Sequence, residues 1–304
     1  MTLSSWPRHE QDEIDAAVSA LSTGRVNYWT GSQGKDFEAE FAAHCDTKRA
    51  IALGNGSLAL ELALEAAGLQ SGDEVIVTPR TFIASASCAV RLGMRPVFAD
   101  VSLNSQNITP DSIEAALTPK TKAIIAVHHA GWPCDMDGIM ALAEKHGLVV
   151  IEDCAQAHGA TCKGRPVGGL GHIGAFSFCQ DKIMTTGGEG GMLVTSDESI
   201  WKRAWAIKDH GKDYDTVFNK QHRPGFRWLH ESFGTNYRMT EMQAAIGRLQ
   251  LRKLEKWNES RTTNAHRLID TLSNYPSIRV PVPDADIRHA YYRLYAFVVP
   301  EHLR

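Results

Sequence analysis

The chain reads as an α/β protein with a mostly parallel central sheet flanked by helices, and three observations carry that expectation. Short apolar strand patterns alternate with helix patterns from Arg49 onward. Two of the strands, Lys122–Val127 and Leu148–Asp153, are nearly continuous apolar runs, as expected when both faces of a parallel strand are covered. Residues able to do chemistry collect where strands end, the place at which open α/β sheets bind their ligands. At 304 residues the chain exceeds what one core usually holds. A large domain over residues 1–245 and the start of a smaller α/β domain over 246–304 are therefore expected.

Composition narrows the function. With 43% hydrophobic and 22% charged residues the chain is an ordinary globular one. A formal net charge of -3 supplies no basic footprint for nucleic acid and no polybasic membrane patch. No apolar run is long enough to span a bilayer, and the residues after Met1 lack the basic and apolar regions of a signal peptide. The cysteines, at 45, 88, 134, 154, 162 and 179, form no C-x-x-C pair. That argues against zinc and against a disulfide framework, so reduced thiols in the cytoplasm are expected.

Taken in order, Gln11–Leu21 has helical spacing, with Ile14, Ala17, Val18 and Leu21 on one face. Gly24–Gly34 is a loop carrying Tyr28 and Trp29, and Lys35–His44 is a second amphipathic helix. Ala50–Leu53 is a buried strand that turns through Gly54-Asn-Gly56 into a helix over Ser57–Ala67. Such a junction presents free N–H groups and the positive end of the helix dipole, which suits a phosphate; a plain tight turn is the other reading. Strands follow at Glu74–Val77 and Pro96–Val101, and helices at Ile83–Leu92, Asp111–Leu117 and Asp135–His146. His128 and His129 end the strand over Lys122–Val127. Successive strand residues point to opposite faces, so a structural or substrate-facing role is expected of them rather than one shared metal. By the same alternation only one of Glu152 and Asp153 enters a site, and the other is expected to be a capped or solvated strand end.

Apolar Gly174–Phe178 leads to a lone lysine, Lys182, followed by Gly187, Gly188, Gly190 and Gly191. A lysine between a strand and a glycine turn is placed to project its amine into a cleft, where partial desolvation exposes the lone pair. Alone, it reads equally as an ordinary loop lysine. Gly190–Thr195 returns as a strand and Glu198–Asp209 as a helix. Residues 209–233 show no period, and a loop of that length is usually functional. Thr240 and Gln243 have the spacing of a capping box that opens a helix to about Leu272. A strand over Tyr292–Val299 precedes the last residues.

A phosphate turn at Gly54–Ser57, an aromatic at Phe82, a carboxylate at Asp153 and an amine at Lys182 have one common explanation, pyridoxal 5′-phosphate. It needs a Schiff-base lysine, a phosphate cradle and an acid against its pyridine nitrogen. Asn55-Gly-Ser57, Ile151–Gly159, Phe176-Ser-Phe178, Lys182 with Gly188-Glu-Gly-Gly191, and Asn236-Tyr-Arg238-Met239 occur in this order. In these motifs the chain resembles the DegT/DnrJ/EryC1/StrS aminotransferases, fold-type-I enzymes that act mostly on nucleotide-linked keto sugars. The resemblance implies that Lys182 binds the cofactor covalently, Asp153 pairs with the pyridine nitrogen, Gln156 contacts the ring hydroxyl and Phe82 stacks on the ring. It further implies a phosphate held by Gly56, Ser57 and Ser177, and Asn236 supplied by a neighbouring subunit of a homodimer.

Candidate substrate contacts are Tyr28, Arg227, His230 and Arg238. The loop that holds Arg227 and His230 also carries His222 and Arg223; its basic groups suit a diphosphate, and a solvated loop face is the alternative. The expected partners are an amino donor, glutamate, and a keto-sugar nucleotide. A dehydratase on the same sugar class is the minor alternative, since relatives of that kind carry histidine where Lys182 stands; a non-catalytic sensor is a third reading. Relatives usually extend further, so the small domain is expected to be truncated.

Overall fold

The structure is a computed structural model and describes residues 6–303. Residues 1–5, part of the polar start, and Arg304 lie outside the described residues.

Nine strands precede the last third of the chain: β1 (Arg49–Leu53), β2 (Glu74–Val77), β3 (Arg95–Phe98), β4 (Thr121–Val127), β5 (Val149–Asp153), the short β6 (Thr161–Cys162) and β7 (Arg165–Pro166), β8 (Ile173–Ser177) and β9 (Gly191–Thr195). Seven of them form one sheet in the order β1-β9-β8-β5-β4-β2-β3. β9 pairs antiparallel with both β1 and β8, and the remaining pairs are parallel. Every parallel strand therefore ends on the same edge.

Helices cover both faces, which is why the strands read as apolar on both sides. Ile76, Ile124, Val150, Phe176 and Val194 join one buried cluster, while their sequence neighbours Val75, Ile125, Ile151, Ala175 and Leu193 join another. This is the period-two alternation of a strand. On the first face lie α2 (Gln33–His44), α6 (Met136–His146) and α9 (Glu241–Leu272); on the second lie α3 (Gly56–Ala66), α4 (Ala84–Arg91) and α7 (Glu198–Lys208). α1 (Gln11–Ser22) packs along α9.

Three expectations need correction. The apolar stripe of α1 does not face the core: Ile14, Val18 and Leu21 are exposed, while Glu13 is buried and, with Glu10 and Asp12, holds the Lys253 ammonium of α9. The stretch 209–233 is not structureless, for α8 (Tyr214–Phe218) forms inside it, capped by the Asp213 carboxylate accepting from the Thr216 N–H. The last expected strand shrinks to Phe297–Val298. Tyr291 sits at φ 47°, outside any strand geometry, and the Arg293 N–H donates to the Ala130 carbonyl instead of a strand partner.

Candidate active site

The phosphate turn forms as its residues dictate. The Asn55 side chain caps α3 by accepting from the Leu58 N–H at 2.9 Å, and so leaves the N–H groups of Gly56 and Ser57 free. A Cβ on Gly56 would lie 2.5 Å from the Ser177 Cβ, so only glycine lets the start of α3 approach the end of β8. That approach brings the Ser57 and Ser177 hydroxyls to the same side of a cleft of about 1060 Å³.

Asp153 ends β5 at the floor of this cleft and is buried. Its Oδ2 accepts from the Ser85 hydroxyl at 2.6 Å and its Oδ1 from the Ala155 N–H at 3.1 Å. With its own proton committed to Asp153, Ser85 accepts from the Thr81 hydroxyl at 2.8 Å. Sequence reasoning missed this relay; its one signal was two hydroxyls four apart at the opening of a helix.

Glu152 points to the opposite face, as alternation requires, but it is no solvated strand end. It is fully buried, and its oxygens accept from the N–H groups of Gly168, Leu170 and Gly171. His128 completes the set: its Nδ1 accepts from the Cys134 N–H, so its Nε2 bears the proton and donates to Glu152 at 2.9 Å. Cys154 lies near enough to complete a metal-like trio with them, yet both partners have spent their lone pairs on hydrogen bonds. This group fixes the loop ahead of β8.

Lys182 lies in the cleft wall, its Nζ 3.4 Å from Asp181 Oδ2 and 5.2 Å from the centre of the Tyr292 ring. The Tyr292 hydroxyl in turn donates to Asp181. Gln156 Oε1 accepts from the Ala130 N–H at 2.7 Å, which leaves its Nε2 as the donor on offer to the cleft. Phe82 also lines the cleft and is exposed.

The candidate substrate contacts fare differently. Tyr28 is 4% exposed, with its hydroxyl on Glu38 and the Lys208 ammonium 3.5 Å from its ring centre. It is a packed interior residue, and burial raises its phenol pKa while lowering that of Lys208 to about 8. Arg238 donates to the buried Asp209 at 2.6 Å, an ion pair that anchors the chain before α9. His230 is held on the His210 carbonyl at 2.8 Å, and Arg227 is exposed. None of these residues lines the cleft of its own chain, and neither does Asn236, which is also exposed.

The residues present fit pyridoxal phosphate: free helix N–H groups and hydroxyls for its phosphate, a buried acid at the floor, an amide donor at the side and a lysine in the wall. Fold and cleft together define a fold-type-I, pyridoxal phosphate-dependent enzyme. Comparison with known proteins narrows the class. The model of the DegT/DnrJ/EryC1/StrS aminotransferase family matches residues 7–303. The chain is 39% identical to the spore coat polysaccharide biosynthesis protein SpsC of Bacillus subtilis, over 98% of this chain and 75% of the relative. It is also 39% identical to the dTDP-3-amino-3,4,6-trideoxy-alpha-D-glucose transaminase of Streptomyces venezuelae, over 90% and 69%. Among solved structures, an aminotransferase from Psychrobacter cryohalolentis superposes with a TM-score of 0.98 at 57% identity, covering 100% of this chain and 79% of that one. The chain belongs to the DegT/DnrJ/EryC1/StrS aminotransferase family. It is a pyridoxal phosphate-dependent transaminase.

Proposed function

We propose that the chain moves an amino group from L-glutamate to the keto carbon of a nucleotide-linked deoxy sugar, for a surface polysaccharide or a secondary metabolite. The observation that carries this reading is the convergence of Lys182, Asp153, Gln156 and the Gly56–Ser57 turn on one cleft with ample volume beside them. The names of the Streptomyces and Bacillus relatives, a dTDP-sugar transaminase and a polysaccharide biosynthesis protein, support the acceptor class.

Bound pyridoxal phosphate supplies a ring that stabilises the negative charge left when the donor's α-proton departs. The chain's own residues do the rest. Gly56, Ser57 and Ser177 bind the phosphate through N–H and hydroxyl donors. Asp153, held by Ser85, keeps a proton on the pyridine nitrogen. Gln156 Nε2 donates to the ring hydroxyl, and Phe82 covers one ring face and excludes water. Lys182 would hold the cofactor through its Nζ at rest, and the same amine, when free, would act as the general base that accepts the proton from the substrate α-carbon. Lysine at this position favours transfer over dehydration.

Asn236 is assigned to a neighbouring subunit's cleft, a role supported by its exposed position outside its own. A homodimer is further supported by the exposed Ile14, Val18 and Leu21 of α1 and by Phe226, Trp228 and Phe233 on the loop after α8. We assign residues 1–245 to the cofactor domain and 246–304 to the connecting helix and the small domain. Reduced cysteines, all of them free, support a cytoplasmic setting. Among the described residues no helix is long and apolar enough to cross a membrane.

Absorbance of the cofactor-loaded protein tests the reading. The visible band should bleach on adding glutamate and return with the accepted ketone. Lys182→Ala should abolish turnover with an unchanged circular dichroism spectrum. Turnover retained by that variant, without added amines, would remove Lys182 from its role.

A further inference from the structure

The cleft has a second polar corner that the cofactor residues leave unused. His129 follows β4, and its backbone is pinned: the N–H donates to Asn107 Oδ1 at 3.0 Å, and the next residue, Ala130, takes a left-handed φ of 59° with its N–H on Gln156. This aims the imidazole into the cleft, stacked on Tyr295 with ring centres 5.2 Å apart and planes 9° apart. The ring is 7% exposed, yet neither nitrogen has a hydrogen-bond partner. An unpaired imidazole is costly, and unlike the enclosed His158 this one borders the cleft, where a ligand can complete it.

Two guanidinium groups flank this ring. Arg80 follows β2, lies 5.1 Å from the Tyr295 ring centre and has a buried Nε with no partner. The Arg293 backbone N–H donates to the Ala130 carbonyl at 3.2 Å, and its guanidinium lies in the same cleft, 5.4 Å from the centre of the Tyr292 ring. Other cations of the cleft are balanced, Lys182 by Asp181 and Arg91 by Glu61. Arg80 and Arg293 have no carboxylate within ion-pair distance among the described residues. Both cations hold His129 neutral, its pKa lowered to about 4 by burial first and then by their charge. The corner therefore offers guanidinium donors plus an imidazole with one donor and one acceptor, which matches an oxyanion next to a hydroxyl.

This corner is distinct from the phosphate turn. The turn sits against the end of β8, whereas His129 follows β4, with β5 and Asp153 between them. Two strand spacings, about 10 Å, separate those strands.

Building on the transaminase function proposed above, we propose that Arg80, His129 and Arg293 form a second oxyanion subsite that holds the phosphoryl part of the acceptor. The test uses the cofactor-loaded protein and inorganic pyrophosphate as probe, followed by calorimetry at low salt. Pyrophosphate should bind, and the double variant Arg80→Gln/Arg293→Gln should weaken it at least tenfold, with His129→Phe, which keeps the stack, weakening it severalfold. Cofactor uptake, read by absorbance titration, reports on the separate phosphate turn and shows that each variant is folded. No binding to the unaltered protein, or equal binding to the double variant, overturns the subsite. A double variant that also loses glutamate-driven bleaching would place the donor's carboxylate here and overturn the acceptor assignment. An unaltered protein that binds pyrophosphate through these arginines but never bleaches with any amino donor would leave the subsite standing and sink the transaminase reading instead.

Discussion

At the scale of single residues, the site depends on groups that position other groups. Asp153 is aimed by Ser85, and Ser85 by Thr81, so in the proposed role the acid would meet the cofactor with both oxygens already engaged. Ser85→Ala removes a hydrogen bond to a charged group, worth about 1.5–3 kcal/mol. The expected result is a fall in kcat of about tenfold or more, with the pH dependence of the cofactor's absorbance displaced because its pyridine nitrogen has lost a fixed partner. Unchanged absorbance titration together with lowered kcat would show that Ser85 acts elsewhere. The same scale explains Glu152 and Asp153: adjacent carboxylates, indistinguishable by residue type, are separated by strand alternation into a buried anchor and a cleft acid.

At the scale of elements, the proposed cofactor cradle is a contact between a helix start and a strand end. Gly56→Ala places a methyl 2.5 Å from the Ser177 Cβ, and neither backbone can yield without moving α3 off β8. Pyridoxal phosphate affinity, measured by absorbance titration, should fall at least tenfold while the circular dichroism spectrum is retained. Affinity equal to that of the unaltered protein would show that the approach of α3 to β8 is not what forms the cradle. The turn after β4 is a second such device: Ala130 in the left-handed region donates its N–H to Gln156 and accepts from the Arg293 N–H through its carbonyl.

At the scale of the whole molecule, buried histidines set the acid limit. His158 is packed against Phe176 and Phe178 with no partner on either nitrogen, and burial lowers its pKa to about 3. His289 is lowered to about 3 as well, by burial and then by His129. In the unfolded chain both titrate near their ordinary value of 6.5. Below that pH the unfolded state binds protons that the native state refuses, so stability is full above pH 6.5 and declines as pH falls toward about 3. Each such histidine contributes about 1.4 kcal/mol per pH unit within that window. Melting temperatures should therefore be level between pH 7 and about 8, where Lys208 begins to titrate, and drop below 6, and His158→Phe should flatten the drop. Parallel profiles for the two proteins would rule out His158 as a source.

Much of this was legible beforehand because it is local. Period-two apolar strands, the glycine turn after β1 and the capping box of α9 follow from residue type and spacing, and the structure reproduces them within a residue or two. Family motifs placed Lys182, Asp153, Gln156, Phe82 and the phosphate turn in one cleft, and they do share it. What the sequence could not determine is orientation and pairing across distant segments. Tyr28 and Arg238 are polar and close to motifs, but only packing shows their side chains spent on Glu38 and Asp209. The stripe on α1 has helical spacing whichever way it faces, and the Glu13–Lys253 ion pair turns it outward. His129 resembles any histidine at a strand end until Tyr295, some 166 positions later, comes to lie against it. Periodicity is written in neighbouring residues; which groups meet in the cleft is decided by the sheet order and by the return of the C-terminal segment onto it.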